Sequence, residues 1–434
     1  MLGVRRSIPA LTLASLLLAA TSGAEPAGTD QTLVLTGKLL DVRVGKYIDH
    51  AAILIQNARV VRVGASADLR SNAPQARIVD LSDATVLPGL IDCHTHLMAR
   101  FDSGPDGYIV GLATKSQATR ALEGAADARA TLYAGFTSVR DVENEGSGYA
   151  DLALRDAIEA GLVEGPRMQA ATRGIAAVGQ YNPFGVSPDL PDFPTGAQMV
   201  SGVDEMRRAV REQVGHGADL IKVYADWLHP TLTVEELKIA VEEAHQAGIK
   251  VAAHATTLEG IENAVSAGVD SIEHGDHANR RVLETMKSRG IFLVPTDGFV
   301  FMNLHDNPGT VSPERTARRQ AQERQIKESL RNALEVGVKI AAGFDASTAQ
   351  GQGHNAEELE ALAFYGMKPL EVVRAATIDA AELMGWQDKV GTLEANHFAD
   401  LIAVHGDPLV DIGVLKHVDV IMKGGVIVKS AQRP

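Results

Sequence analysis

The chain has 434 residues, of which 45% are apolar, 22% charged and 4% aromatic, with 41 glycines and a single cysteine, Cys93. These proportions are typical of a globular protein, and they exclude collagen-like, disordered and multi-span membrane chains. The net charge of −14 argues against nucleic acid or an anionic membrane as the main partner, and one cysteine excludes an intrachain disulfide and a cysteine-based zinc framework.

Residues 1–24 have the pattern of an export signal. Arg5 and Arg6 form a positive start, an apolar run covers residues 8–20, and residues 22–24 offer small side chains for cleavage. A membrane anchor is the alternative, but a run of that length, at about 1.5 Å per residue, cannot cross a hydrocarbon core of about 30 Å. We expect a cleaved signal and a periplasmic or secreted protein that leaves the membrane. The adjacent arginines leave both the Sec and the twin-arginine export routes open.

Short strand-like segments occupy both flanks of the chain. Between residues 32 and 86, β-branched runs are separated by Gly, Asn and Asp, and the same texture returns from residue 400 to 428. Neither flank has enough strands for a closed sandwich by itself. We therefore predict that residues 25–87 and 389–434 pair into one small β-sandwich domain.

Between the flanks, residues 88–388 alternate between strand-like and helix-like segments. The predicted strands cover residues 90–96, 137–142, 168–172, 220–224, 251–254, 271–274, 291–295 and 339–345. A helical pattern follows nearly every strand, and several helices end in Ala-Gly or Val-Gly, which is typical of a helix C-cap. Eight strand–helix pairs predict a (β/α)8 TIM barrel. A doubly wound open sheet is the alternative, but no glycine-rich phosphate loop opens the first helix.

A long segment rich in Pro, Gly and Asp, residues 174–201, follows the third predicted strand. In a barrel this segment lies on the carboxyl side of the strands, which is the active-site face. It is a candidate lid or specificity loop, with an irregular excursion of no special function as the alternative.

Polar side chains stand at or near the ends of five predicted strands. They are His94 and His96 on the first strand, Lys222 on the fourth, His254 on the fifth, His274 on the sixth and Asp345 on the eighth. His94 and His96 share one strand face, about 6.6 Å apart along the backbone. In a barrel all six side chains would face one point, and imidazoles with hard oxygens suit zinc, or less often manganese, iron or cobalt.

Each of these side chains also has an ordinary interpretation. A His-X-His tripeptide occurs by chance or as a core pair, and Asp345 can cap a helix. Burying a bare ammonium costs several kcal/mol unless it is paired. Lys222 therefore either reaches a carboxylate at the barrel mouth or is a neutral amine that captures carbon dioxide as a carbamate.

These motifs resemble those of the metal-dependent amidohydrolase superfamily. The resemblance is carried by residues 87–96, 217–223, 254–256, 271–275, 343–346 and 398–403, and it covers essentially the whole chain after residue 24. Within the superfamily the chain is similar to the imidazolonepropionase-like branch that holds Xaa-Pro dipeptidases and carboxypeptidases. It particularly resembles exported bacterial amidohydrolases that hydrolyse ochratoxin A.

The resemblance implies a centre of two divalent ions, with zinc as the first candidate. His94 and His96 would bind one ion, His254 and His274 the other, and a carbamate on Lys222 would bridge them. Asp345 would bind the first ion and carry a proton from the attacking water to the departing nitrogen.

Three further residues are candidates for contacts with the substrate. Tyr224 lies on the same strand face as Lys222 and is expected to donate to the developing oxyanion, with a core tyrosine as the alternative. His277 and Arg140 are candidates for binding a substrate carboxylate. Residues 177–181 depart from the Gly-Gly-His-Gly-like stretch of many relatives, which argues against the substrates of carboxypeptidases specific for basic residues.

We therefore predict a metal-dependent amide hydrolase that acts on small molecules or peptides. It would cleave N-acyl amino acids or remove C-terminal residues, with ochratoxin A, cleaved to ochratoxin α and phenylalanine, as one candidate substrate. Relatives lead us to expect a homo-oligomer, with an octamer as one form.

Two other functions remain as alternatives. One is hydrolysis of a cyclic amide or a deamination on the same fold. Mononuclear deaminases place a Glu three residues after the fifth-strand His, where this chain has Thr257, and they lack the fourth-strand Lys. The other is a non-catalytic binding protein, which would have lost ligands, and none is missing.

Overall fold

The computed structural model describes residues 31–430 apart from 101–103, 182–186, 188, 191–192, 228 and 306–312. The predicted export signal lies outside these described residues and stays a prediction. Strands and helices alternate along the described chain, which gives a mixed α/β architecture. Among these residues, no helix is both long enough and apolar enough to pass through a bilayer.

The secondary structure runs in the following order. The strands are β1 (Gln31–Asp41), β2 (Lys46–Asp49), β3 (Ala51–Gln56), β4 (Arg59–Ala65), β5 (Arg77–Pro88), β6 (Leu90–Thr95), β7 (Phe136–Asp141), β8 (Arg167–Ala170), β9 (Gly174–Ala177), β10 (Ala197–Val200), β11 (Leu220–Tyr224), β12 (Lys250–Ala255), β13 (Ser271–His274), β14 (Phe292–Val294), β15 (Leu401–Val404), β16 (Val420–Lys423) and β17 (Val426–Ser430). The helices are α1 (Ser66–Asn72), α2 (Gly104–Thr114), α3 (Gln117–Tyr133), α4 (Ala150–Glu159), α5 (Val203–His216), α6 (Val234–Gln246), α7 (Leu258–Ala267), α8 (Arg280–Arg289), α9 (Gly298–His305), α10 (Pro313–Val336), α11 (Ala356–Phe364), α12 (Pro369–Ala375) and α13 (Ile378–Leu383), with a short 3-10 helix at Ile412–Lys416. The sequence pattern predicts helices at residues 203–216, 258–267 and 356–364, and α5, α7 and α11 have these bounds.

The two flanks of the chain join in one β-sheet. Its strands follow the order β17-β16-β15-β5-β1-β3-β4, and β2 pairs with β1. The flanks meet where β15 runs antiparallel to β5, with Leu401 opposite Pro88 and Val404 opposite Thr85. The pairing of the flanks thus follows the strand pattern of the sequence, while the folding of this sheet into a sandwich stays a prediction.

Both faces of this sheet are covered, because successive side chains of a strand point to opposite sides. On one face Val34 and Ile53 pack with Leu401. On the other face Leu33 and its neighbours pack against Leu69 of α1. Apolar burial of this kind contributes about 25 cal/mol per Å², so each flank depends on the other for its core.

Parallel strands occupy the middle of the chain and hold the polar strand ends. One sheet has the order β6-β7-β8 and the other β10-β9-β11-β12-β13-β14. The pairs between neighbours in both sheets are parallel. Strand β11 pairs with β12 from Leu220 opposite Lys250 to Tyr224 opposite His254, which brings the ends of both strands to one edge.

Backbone hydrogen bonds connect the two parallel sheets at both sides. At one junction the Asp219 amide donates to the Ala170 carbonyl. At the other, Ile340 forms a parallel bridge with Leu293, and the Cys93 amide donates to the Ala342 carbonyl. The predicted eighth strand, 339–345, is therefore a single bridge rather than a continuous strand, because the Ala342 amide donates to Ala375 of α12 instead of a neighbouring strand.

The segment 174–201 differs from the loop that its composition predicts. Its two ends are the strands β9 and β10, which pair in parallel with Gly174 opposite Ala197. Short apolar runs at both ends form these strands, although Pro, Gly and Asp dominate the residues between them. Much of that middle part lies outside the described residues.

Helix α6 shows how local sequence signals fix an element beside the site. Thr233 caps the helix: its Oγ1 accepts from the Glu236 amide at 3.2 Å, and the Glu236 carboxylate accepts from the Thr233 amide at 2.8 Å. Leu237, Val241 and Ala244 recur at helical spacing and are buried. The cap and the buried face together hold α6 between β11 and β12.

Candidate metal centre

The six side chains predicted as metal ligands lie together at the carboxyl side of the central strands. They are His94 and His96 at the end of β6, Lys222 in β11, His254 in β12, His274 at the end of β13, and Asp345 five residues after the Ile340 bridge. The Nε2 atoms of His94 and His96 are 3.2 Å apart. Nε2 of His274 is 2.9 Å from Nδ1 of His254, and the His94 and His274 rings lie 5.3 Å apart.

A carboxylate from another strand orients His94. Its Nδ1 lies 2.7 Å from Oε2 of Glu273. Since an ionised carboxylate only accepts, the ring proton lies on Nδ1, and the lone pair of Nε2 points toward His96. Burial and the nearby positive charge of Lys222 hold the pKa of His94 well below its usual value. The imidazole is therefore neutral, which is the form that binds a metal ion.

His96 lies between two carboxylates. Its Nε2 is 3.3 Å from Oδ1 of Asp345, and its Nδ1 is 2.7 Å from Oε1 of Glu145. Burial alone would lower the pKa of His96, but Glu145 and Asp345 together more than offset it, and the pKa is raised to about 9. This position therefore favours a positive charge, whether a proton or a metal ion supplies it.

The second imidazole pair has two further polar groups beside it, of which only the Thr296 hydroxyl lies within hydrogen-bond distance. Nδ1 of His274 is 2.7 Å from the Thr296 hydroxyl, and Nε2 of His254 is 3.8 Å from Oδ1 of Asp226. Burial lowers the pKa of His274 to about 3 and the pKa of His254 well below its usual value. Both rings are neutral, and Nε2 of His274 and Nδ1 of His254 face the same point.

Lys222 is only 1% exposed, and burial lowers the pKa of its ammonium group. The carboxylates of Glu273 and Asp345 act in the opposite direction without cancelling the effect of burial. The environment therefore favours the neutral amine more than water does, and a neutral amine is the form that reacts with carbon dioxide.

Asp345 has a left-handed backbone, with φ of +58°. Such a conformation is uncommon outside glycine, though Asp tolerates it better than most residues. The Asp345 amide donates to the His94 carbonyl at 2.9 Å, which fixes the carboxylate beside both histidines. Asp345 does not cap a helix, because the next helix, α11, has Asn355 at its N-cap.

The donor atoms fit divalent cations. His94, His96 and Asp345 each present one ligand atom, and these three atoms lie within 4.8 Å of one another. Imidazole nitrogens and a carboxylate oxygen are the ligands that zinc takes at catalytic sites.

A buried ion pair lies beneath His94. Arg140 is 2% exposed, and its Nη2 donates to both oxygens of Glu273 at 2.8 and 3.0 Å. Its Nε donates to the Cys93 carbonyl at 2.6 Å and its Nη1 to the Ser271 hydroxyl at 3.1 Å. The geometry gives no support to a substrate contact by Arg140 and makes it a partner of Glu273 instead.

Tyr224 and His277 lie beside the centre without reaching its ligand atoms. The Tyr224 hydroxyl donates to Oε2 of Glu143, and its ring is 5.2 Å from the His254 ring. His277 is exposed, and its Nδ1 is 2.9 Å from the Thr256 carbonyl. Their roles toward a substrate stay predictions.

The sequence pattern does not identify the carboxylates that surround the histidines. They are Glu143, Glu145, Asp226 and Glu273. Glu143 and Glu145 lie two and four residues after β7, and Asp226 lies two residues after β11. A search for acidic residues within four positions of every strand end would therefore have found them. Glu273 precedes His274 by one residue and pairs in register with His254, so it lies on the same strand face as that predicted ligand. The pattern misses it because alternation from His274 would place it on the other face, whereas His274 has a left-handed backbone with φ of +72°.

Several known proteins are similar to this chain in sequence and in structure. The chain is 33% identical to the ochratoxinase of Aspergillus niger over 442 residues, which covers 93% of this chain and 88% of that protein. The crystal structure of A. niger ochratoxinase matches with a TM-score of 0.82 at 30% identity, covering 93% of this chain and 97% of that one. A Xaa-Pro dipeptidase crystallised with methionine in its active site matches with a TM-score of 0.81 at 33% identity, covering 92% of this chain and all of that one.

A more distant relative and a family profile also match the chain. The imidazolonepropionase of Symbiobacterium thermophilum is 26% identical over 89% of both chains. The sequence profile described as "Amidohydrolase family" matches residues 85–428. That family generally binds divalent metal ions, in keeping with the clustered ligands. The chain therefore belongs to the amidohydrolase family and is a hydrolase of the carbon–nitrogen bonds of amides.

Proposed function

We propose that this amidohydrolase uses two divalent metal ions, with zinc preferred, to cleave amides whose nitrogen belongs to an amino acid. Its substrates would be N-acyl amino acids or the C-terminal residues of peptides. The observation that carries the proposal is the meeting of two imidazole pairs with Asp345 around the buried Lys222.

The architecture that supports this centre is a closed (β/α)8 barrel beside a small β-sandwich. The parallel strand order and the hydrogen-bonded junctions at Ala170 and Ala342 support closure of the barrel. The single sheet formed by the two flanks supports the second domain. In such a barrel, catalytic residues come from the carboxyl ends of several strands.

The ligands divide into two groups. We assign His94, His96 and Asp345 to one ion and His254 and His274 to the other, with a carbamate on Lys222 between them. Two such ions, when bound, supply a nucleophile from water at neutral pH and polarise the amide carbonyl.

The protein's own residues orient the substrate and move the proton. Asp345 lies against both first-site histidines, and burial raises the pKa of its carboxyl group, which makes it a better proton acceptor than an exposed aspartate. It would take a proton from the attacking water and deliver it to the departing nitrogen. The Tyr224 hydroxyl would donate to the oxyanion after its O–H bond turns away from Glu143, and the exposed His277 would bind the substrate carboxylate.

The relatives suggest the substrates to examine first. The names of two relatives, ochratoxinase and Xaa-Pro dipeptidase, point to an ochratoxin and to dipeptides that end in proline. Ochratoxin A, which would yield ochratoxin α and phenylalanine, is the first candidate, followed by Xaa-Pro dipeptides.

Cyclic amide hydrolysis is the second candidate, favoured by the similarity to an imidazolonepropionase. Deamination has less support. Thr257 stands where the deaminases carry a catalytic Glu, and here its hydroxyl caps helix α7 by accepting from the Gly260 amide at 3.1 Å.

We further propose that residues 1–24 direct export, so that the mature protein is periplasmic or secreted, and that it assembles as a homo-oligomer. The mass of the protein recovered from the expressing cell, together with its sedimentation, tests both points. A chain that retains residues 1–24 in the cytoplasm would contradict the first, and a monomer the second.

A panel of substrates tests the proposed reaction. The purified protein, with its metal content measured per subunit, is incubated with N-acyl amino acids, Xaa-Pro dipeptides, ochratoxin A and a cyclic imide, and the products are followed by mass spectrometry. We expect release of the free amino acid from at least one linear amide. Less than one metal per subunit together with no linear amide cleavage would overturn the proposal, and cleavage of the cyclic substrate alone would favour the second candidate.

A further inference from the structure

Glu143 is a fully buried carboxylate for which the proposed reaction has no use. It lies two residues after β7 and is 0% exposed. Its Oε1 accepts from the Tyr181 hydroxyl at 2.9 Å, and its Oε2 accepts from the Tyr224 hydroxyl. One carboxylate therefore connects a strand of the barrel with two tyrosines from different parts of the chain.

The two ends of the segment 174–201 pack closely against Glu143 and against the Tyr224 ring that it contacts. A Cβ on Gly196, just before β10, would overlap with Oε1 of Glu143, and a Cβ on Gly174, at the start of β9, would come within 2.7 Å of the Tyr224 ring. Only glycine permits so close an approach at Gly196. The segment is thus fitted against Glu143 from two sides, through Tyr181 and through Gly196.

The tyrosines form an aromatic wall, which we define as Tyr181, Tyr224 and Trp227. Their ring centroids are 4.9, 5.6 and 5.5 Å apart. Trp227 lies 5.0 Å and Tyr224 5.2 Å from the His254 ring, so the wall flanks the second group of proposed ligands. Tyr181 and Trp227 are half-buried, which leaves part of the wall accessible.

We propose that Glu143 is a positioning residue that seats Tyr181 and the strands β9 and β10 beside the metal centre, and that the aromatic wall it holds binds a ring-bearing part of the substrate. The second half of this inference rests on the proposed amide hydrolysis. Aromatic faces bind rings by stacking and edge contacts at centroid distances like those within the wall. The wall therefore selects amides with a ring near the scissile bond over those with a small aliphatic group.

The variant Glu143→Gln tests the seating, because an amide group cannot accept from two hydroxyls through two oxygens as a carboxylate does. We expect KM for an N-benzoyl amino acid to rise about tenfold, as for loss of a buried hydrogen bond, with KM for the N-acetyl analogue changed much less. Gly196→Ala, which places a methyl group against the carboxylate, should have the same effect.

Matched controls exist for both variants. Glu164 accepts from the Tyr133 hydroxyl at 3.2 Å in an exposed copy of the same contact, so Glu164→Gln should leave the ratio of the two KM values unchanged. A Cβ on Gly215 would have no neighbouring atom within 4 Å, so Gly215→Ala is the control for Gly196→Ala. If Glu143 contributed only to general stability, Glu143→Gln would leave the ratio of the two KM values unchanged, because both values would change by the same factor or not at all.

Fluorescence tests the seating without turnover, so it separates failure of this inference from failure of the proposed function. The chain has two tryptophans, and Trp386→Phe leaves Trp227 as the reporter. We expect Glu143→Gln to shift Trp227 emission to longer wavelength, while Glu164→Gln does not. If Trp386→Phe fails to fold, the same pairs are compared in the parent chain, where Trp386 is a constant background. Equal spectra and equal KM ratios for Glu143→Gln and Glu164→Gln would overturn the inference, and absence of amide cleavage with a shifted spectrum would overturn only its substrate half.

Discussion

The imidazole of His94 takes its orientation from a residue far away in the sequence. Glu273 fixes the proton on Nδ1, and Arg140 fixes Glu273 in turn. The ligand nitrogen is thereby aimed before any ion binds, which is the role that carboxylates behind metal-bound histidines have in general. At this scale the proposal depends on charges and protons of single side chains.

Glu273→Gln should destabilise the protein and disturb the centre. The change leaves the buried Arg140 without its counter-charge, and losing one partner of a buried ion pair costs about 3–5 kcal/mol. Urea unfolding measures the free energy of unfolding, and metal analysis measures the loss at the first site. The exposed pair of Arg43 and Glu394 offers the control, since Glu394→Gln should change little. Equal stability of the two variants would show that the Arg140–Glu273 pair has no such role.

Asp345→Asn should abolish turnover while the fold persists. The amide has the size of the carboxylate but cannot take up a proton, so we expect kcat to fall by about a hundredfold or more, with KM changed only a few-fold. Steady-state kinetics on the best amide of the panel measures both constants. Asp204→Asn, at a side chain 94% exposed, is the control. Substantial kcat in Asp345→Asn would remove the proton-carrying role from Asp345.

At the scale of elements, loop contacts after the strands fix the edge on which the centre is built. Asp151, in the first turn of α4, accepts from the Thr172 amide at 2.8 Å just after β8. Asp226, after β11, accepts from the amides of Thr256 and Thr257 at 3.0 and 2.8 Å. Buried carboxylates thus connect neighbouring strand ends, and each contact places a charge in an apolar environment.

The carboxylate of Asp151 should make stability depend on pH. Burial raises its pKa from 3.8 to about 6. Because the folded state binds the proton more tightly than the unfolded state, this group lowers stability progressively as the pH rises from about 4 to about 6, by about 3 kcal/mol in total. Asp151→Asn removes this loss and keeps an oxygen for the Thr172 amide.

The comparison is made by urea unfolding between pH 4 and 7. The free energy of unfolding of Asp151→Asn, relative to the parent chain, should increase as the pH rises through this window. Since both proteins have the same metal centre, its own pH dependence cancels in the difference. Asp204→Asn provides the baseline, and a difference that stays constant with pH would contradict the raised pKa.

At the scale of the whole molecule, periodicity and motifs predict the strands and the ligands at their ends better than they predict the side chains that contact those ligands. His94, His254 and His274 could be placed because side chains at strand ends share one edge of a parallel array. The contacts of Glu143, Glu145 and Glu273 could not, since they join residues distant in sequence and depend on the three-dimensional register. Residues 339–345 read as a strand from their apolar pattern, but Ala342 bonds to α12. The sequence pattern does not predict the short strands β9 and β10, because the glycines and prolines between them are typical of a loop.

The sequence is equally limited in predicting which substrate the protein selects, because selectivity depends on contacts between distant residues. The ligand motifs predict a metal-dependent amide hydrolase, whereas the wall beside His254 comes from Tyr181, Tyr224 and Trp227, of which the sequence pattern names only Tyr224 as a candidate for a substrate contact. The composition of the segment 174–201 predicts a specificity loop, but it does not predict the contacts of Tyr181 and Gly196 with Glu143, on which the proposed selectivity among amides depends.

Titration of the metal-free protein with zinc tests the central claim most directly. Hydrolysis of an N-acyl amino acid is measured as zinc is added, with bound zinc counted per subunit, for the parent chain and for Lys222→Ala. We predict that the activity of the parent chain saturates at two zinc ions per subunit, and that Lys222→Ala binds fewer and remains inactive, because it lacks the group proposed to bridge them. Amide hydrolysis at the full rate without bound metal, or at full rate in Lys222→Ala, would contradict the account.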